Sequence, residues 1–271
     1  MILKRFIKNY YGTVFGLKLL IGALGVFILF QLDAGMPLFF TEYHWNVLRE
    51  NYDFKMIFSN TIYFGMYMHM LTMVSAAGFG TRFCEEWRSG VVPHLVKNMG
   101  LKNYSTLYII LAAVSGGSIA VLGFIMYVIS VFIHVPLWNP NALKQNSLIG
   151  LYKFTLEDES GLQFIVIFVM LFFLVGALSA VIAICISTIS ENKYLVMTSP
   201  YIIYRCYVEL CKVVHIPNNY RADYYLFGRQ ELGTNLGEIC FIIIGLTAVV
   251  IVGGRYVFAK GVRRKLINGK Y

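Results

Sequence analysis

The chain has 271 residues, of which 58% are hydrophobic and only 14% charged, and its mean hydropathy is +0.66. A soluble domain of that length needs far more polar surface, so the composition excludes one and points to an all-α polytopic membrane protein. The net charge of +9 does not indicate nucleic acid, because the Lys and Arg gather at the edges of apolar runs, where membrane topology places them.

Residues 1–12 set Ile2, Leu3, Phe6, Ile7 and Tyr10 at helical spacing with Lys4, Arg5 and Lys8 between them. That pattern suits an amphipathic helix lying in the inner interface, its basic side toward anionic headgroups. No small-residue cleavage site follows, so the first apolar run is expected to stay as a span. Six spans are predicted, at about 13–32, 58–79, 107–134, 162–187, 194–215 and 238–258, forming one permease-sized domain over 1–271.

Six crossings place both ends on one side, and the basic residues decide which. The ends and the loops at 80–105 and 188–193 hold 15 Lys and Arg, the other three loops hold 6, and Arg205 and Lys212 fall inside the fifth span. Both ends and the 80–105 loop are therefore expected in the cytoplasm, with the protein in the cell membrane. The outer loops carry interface aromatics and turn residues, among them Trp45, Trp138 beside Pro136, and Tyr220 after Pro217. Five cysteines show no CxxC spacing, which reads as thiols buried in apolar runs, without a disulfide framework or a zinc site.

The stretch GTRFCEEWRSGVVPHLVKNMGLKNYS, residues 80–105, is a polar interruption the size of a short helix. Glu85 and Glu86 near a helix start are favoured by its dipole, Trp87 can anchor at the interface beside Arg88, and Gly90 permits a tight turn. Beyond it, Val91, Val92, Leu95 and Val96 make an amphipathic run closed by Lys97–Gly100. The functional expectation is a surface for a partner protein; the plain alternative is a solvated interfacial loop.

No Walker A glycine loop, HExxH or GxSxG pattern occurs, so the chain is not expected to be an enzyme or to hold ATP or any other cofactor itself. The amphipathic start, six spans and an E-x-x-x-G motif followed by an apolar run before the third span resemble the permease subunits of type II ABC exporters. Glu86, Gly90, Val91, Leu95, Asn98, Gly100 and Tyr104 carry the first match, and the small-residue fourth helix, short Asn192-Lys193-Tyr194 turn and Pro200-bearing fifth span carry a second. The resemblance implies a cytoplasmic coupling helix between spans two and three, docked on separate ATP-binding cassette ATPases that hold ATP and Mg. It also implies a second permease subunit, the same or similar, with substrate moving along the seam. The family often carries a basic residue at the foot of the third span, where this chain has Tyr108–Leu111.

Three further features bear on function. Met66, His69, Met70 and Met73 share a helical face, a pattern that fits Cu(I) or, with no supporting Cys or second His, a methionine packing surface with one histidine bonded to a neighbouring span. Ser115–Ser118 on the third span and Gly176, Ser179 and Ala180 on the fourth are small enough for close helix approach, expected within the chain. On the fifth span Arg205, Glu209 and Lys212 fall on one face, where Glu209 is the nearest counter-charge for Arg205; they form either a buried intrahelical ion pair or a substrate-path element. Readings from other classes are an ATP-independent channel or secondary transporter, or a membrane scaffold or sensor, and association with an ATPase separates the first reading from both.

Overall fold

The structure is a computed structural model that describes residues 16–35, 42–139, 152, 155 and 160–268. The expected interfacial helix at 1–12 lies outside the described residues. Every regular element among them is helical: α1 Leu17–Asp33, α2 Glu42–Asn51, α3 Phe54–Phe64, α4 Leu71–Ala77, α5 Arg82–Arg88, α6 Val91–Met99, α7 Leu101–Phe132, α8 Leu162–Ser187, α9 Lys193–Val213, α10 Ala222–Leu226 and α11 Leu236–Ile267. Of these, α7, α8 and α11 are long and apolar enough to cross a membrane.

The post of the bundle is the α7–α8 pair, and small residues bring it together. A Cβ on Gly116 would meet the Gly176 carbonyl oxygen, a Cβ on Gly176 would meet that of Gly116, and Ala180 fills the next turn. Backbone thus lies on backbone, which maximises dispersion contact where lipid offers no hydrophobic drive for helices to associate. The small residues are spent within the chain, as expected. Above this contact the core is aromatic: Phe58 of α3 stands edge-on to Phe168 at 4.9 Å, and Phe30 of α1 and Phe124 of α7 meet Phe172 at 5.2 and 5.0 Å. Such pairs add about 0.5–1.5 kcal/mol each beyond area burial.

The run expected to form the second span, 58–79, is not one helix. It breaks at Gly65, whose backbone leaves the helical region at φ −63, ψ 130, and resumes through a single 3₁₀ turn, Tyr67–Met70, into α4. Periodicity does not reveal the break, because the groups that make it affordable lie far away in sequence. The carboxylate of Asp33, at the end of α1, accepts from the backbone N–H groups of Met66, Tyr67 and Met68 at 2.7, 2.8 and 2.6 Å. Arg229 closes the other side, donating to the carbonyls of Ile62 at 3.0 Å and Gly65 at 3.3 Å. Non-helical backbone inside an apolar bundle persists only when its polar groups are satisfied in this way.

One end of the bundle carries a cluster of basic residues. Arg82, Arg88, Lys193 and Lys265 gather where α5, the α8–α9 turn and the end of α11 meet, joined by bonds from Arg88 to the Glu191 carbonyl at 2.8 Å and from Lys193 to Glu85 at 2.8 Å. At the opposite end α2 lies across the bundle. Trp45 stacks on His134 at 4.3 Å, Arg49 donates to the His134 carbonyl, and Asn139 donates to three carbonyls, those of Arg49, Glu50 and Tyr52. Asp53, buried there, caps α3 by accepting from the Met56 N–H at 2.8 Å.

Candidate functional site

The 80–105 stretch folds as an elbow of two short helices, α5 and α6, joined to each other and to α7 by left-handed glycines. Gly90 has φ +70 and Gly100 φ +76, and a Cβ at either would meet nothing within 4 Å. The demand at both positions is conformational rather than spatial, since a left-handed backbone costs roughly 1–2 kcal/mol with any Cβ present.

Glu86 is only 5% exposed. Its carboxylate accepts from Arg82 Nε at 2.8 Å one turn back and from the Tyr108 hydroxyl at 3.1 Å, so it ties α5 to the foot of α7. The ring of Tyr108 stacks on Phe258 of α11 at 5.4 Å. Phe79, Phe83 and Trp87, spaced four apart, lay one aromatic face of the elbow inward: Phe79 contacts Tyr108 at 5.0 Å and Phe83 contacts Phe258 at 5.2 Å. Trp87 is buried, and the Lys265 ammonium sits 4.9 Å from its ring and 5.7 Å from that of Phe83 while pairing with Glu191 at 3.4 Å. Cation–π contacts of this kind contribute about 0.5–2 kcal/mol, more as they are desolvated.

Glu85 faces the other way. The Lys193 ammonium donates to it at 2.8 Å, and Arg82 lies 3.8 Å off. That hydrogen bond holds the Glu85 carboxyl below its ordinary pKa, against a smaller opposing effect of burial and with help from the Lys18, Lys193 and Arg82 charges. Cys84 is buried, its thiol directed at the Ser190 carbonyl at 3.6 Å, and burial pushes its pKa up, away from a reactive thiolate.

Of the residues read from the sequence as a docking surface, Glu86 and Trp87 are therefore internal, Glu85 and Arg88 tether the elbow to the α8–α9 turn, and Leu95 packs against the elbow's core. What α6 leaves open is its outer side. Val92, Leu95, Val96 and Met99 turn inward, while Val91, His94, Lys97 and Asn98 are exposed. The bracing residues Arg82, Phe83, Tyr108, Glu191, Lys193 and Lys265 were missed in sequence. The i, i+4 spacing of Arg82 with Glu86 and of Phe79, Phe83 and Trp87 was the available signal for part of them.

On α9 the three charged residues form a ladder, with Glu209 accepting from Lys212 at 2.9 Å and from Arg205 at 3.4 Å. Within this chain the ladder is open, its side chains 45%, 52% and 55% exposed for Arg205, Glu209 and Lys212. The buried side of α9 is instead Val196, Ser199, Pro200, Val208 and Cys211. His69 hydrogen-bonds through Nδ1 to the Tyr204 hydroxyl of α9 at 2.9 Å, and Phe227 stands edge-on to its ring at 5.1 Å, while Met66 points outward at 81% exposure. That is the neighbouring-span bond of the packing alternative.

No family model, no curated protein and no solved structure matches this chain.

Proposed function

We propose that this chain is the membrane-spanning permease subunit of an ATP-driven exporter, crossing the cell membrane six times with both ends and the α5–α6 elbow in the cytoplasm. The elbow docks on a separate ATPase subunit that holds ATP and Mg, and the chain pairs with a second permease. One observation carries this reading: the elbow is braced on three sides, to α7, α11 and the α8–α9 turn, while one face of α6 is left bare. A solvated connector has no need of a buried carboxylate and an inward aromatic stripe. A head that must transmit a push from a partner into α7 does.

Besides the three long apolar helices, α1, the broken α3–α4 pair and α9 supply the remaining crossings. The 21 residues of α9 rise about 31 Å, matching a hydrocarbon core about 30 Å thick. Arg205, twelve residues into α9 and so about 18 Å along it, would cost at least about 2.5–3.5 kcal/mol if its charge were left in hydrocarbon. A second permease or a water-lined path along α9 removes that penalty, which favours the ladder as part of the seam along which substrate moves.

The test is retention of a P-loop ATPase on affinity-purified chain. The parent chain should carry one, and Val91→Asp combined with His94→Glu should insert normally but lose it, because both changes fall on the bare face. Retention in the double variant, or no ATPase on the parent chain, would overturn the reading.

A further inference from the structure

Two cavities lie on one seam between α7 and α11, and together they have the composition of a phospholipid. The upper one, about 690 Å³, is almost wholly apolar, lined by Val121 and Leu122 of α7, Phe173 of α8 and Ile244, Ala248 and Ile251 of α11. The lower, about 510 Å³, is mixed: Met99 and Leu107 give it apolar wall, and Asn98, Lys102, Asn103 and Thr106 on one side and Arg255 on the other give it polar and basic groups. Among the described residues neither Lys102 nor Arg255 has a carboxylate within ion-pair distance.

Spacing links the two. Ile244, Ala248, Ile251 and Arg255 recur at helical intervals on one face of α11, so a single turn separates the apolar lining from the guanidinium. On α7 the step from Thr106 to Ser118, which lines the upper cavity, is about 18 Å along the axis. That is close to the depth of one leaflet, half of about 30 Å. The thiol of Cys185 reaches the carbonyl of Gly254, next to Arg255, so this point of α11 lies beside the last turn of α8, the end from which the turn that Arg88 of the elbow grips departs.

From this arrangement we infer that the α7–α11 seam is a binding groove for an anionic glycerophospholipid of the leaflet on the elbow side. Lys102 and Arg255 hold its phosphate-bearing headgroup, the amides of Asn98 and Asn103 donate to it, and one acyl chain runs up α7 into the apolar cavity. Two unpaired cations on the rim attract an anionic headgroup over a zwitterionic one. The apolar cavity above them selects a lipid over a free phosphate. The site borders the proposed ATPase face on α6 at Asn98 alone, its two cations lying on α7 and α11, and it holds whether or not an ATPase is the partner.

Native mass spectrometry of the detergent-purified chain, titrated with phosphatidylglycerol, phosphatidylcholine and glycerol phosphate, tests it. Phosphatidylglycerol should bind best, and Lys102→Gln with Arg255→Gln should lower its affinity roughly ten- to thirtyfold while leaving phosphatidylcholine unchanged. Ala248→Phe, which fills the upper cavity and leaves the headgroup contacts in place, should also weaken phosphatidylglycerol, with thermal unfolding checking that each variant is folded. Equal binding of the two lipids, an unaffected basic double variant, or glycerol phosphate competing as well as the lipid would each overturn the groove.

Discussion

Glu86 lies in the one motif whose residues most resemble a docking site, yet its carboxylate is spoken for by Arg82 and Tyr108. Removing it strands a guanidinium and a buried hydroxyl, so Glu86→Ala should destabilise the folded chain by about 2 kcal/mol, discounted because Arg82 reaches solvent. Tyr108→Phe should cost about 1 kcal/mol. The two should be less than additive in thermal unfolding of purified protein, since they break the same contact. Glu85 adds a pH dependence. A carboxyl whose pKa is depressed in the folded state contributes stability above its unfolded pKa and loses it as pH falls through the folded one. Protection factors over residues 82–99, taken against the intrinsic exchange rate at each pH, should therefore fall on acidification into and below the ordinary carboxylate range, and Glu85→Gln should flatten that dependence. The effect should be modest and shrink with salt, because the pair with Lys193 is partly exposed. The sequence singles out Glu85 and Glu86 as the paired carboxylates of this stretch. It could not show which of them turns inward, because the deciding partners, Tyr108 and Phe258, are brought in by α7 and α11.

Helix existence was legible because apolar runs of this length admit few alternatives in a membrane; α8 runs over the expected residues 162–187. The third and sixth were expected too short: α7 begins directly after Gly100 and α11 continues to Ile267, past the basic residues that hydropathy treats as an edge. The break at Gly65 was illegible, since a lone glycine in an apolar run is tolerated in many helices and its stabilisers, Asp33 and Arg229, sit in other elements. The α7–α8 contact was readable as a pair of small-residue stripes, and it makes a sharp prediction at the scale of elements. A side chain at position 176 points into the Gly116 backbone, which cannot rotate away. Gly176→Val should cost about 3 kcal/mol, the upper end for overpacking because backbone cannot move aside, and abolish monodisperse elution from a sizing column, whereas Gly245→Val, where a Cβ meets nothing within 4 Å, should be tolerated.

For the whole molecule, the architecture is a rigid post with a head on one end and a cap on the other. The cap, α2 with Asn139 and Asp53, closes the end opposite the elbow. The head shares its aromatic core with α7 and α11, so under the proposed function a displacement of α6 would reach both through that core rather than be absorbed in a loop. Under the proposed function the open surfaces divide by chemistry: the bare side of α6 for the ATPase in water, the charged ladder on α9 for the second permease or the substrate path within the membrane. The central claim is that α6 meets an ATPase in the cell. A photo-crosslinking residue at position 94, with one at 241 on the exposed side of α11 as the control, tests it in living cells. The expected result is an adduct between position 94 and a P-loop ATPase, absent from position 241; adducts to lipid alone, or to no ATPase from either of positions 91 and 94, would contradict it.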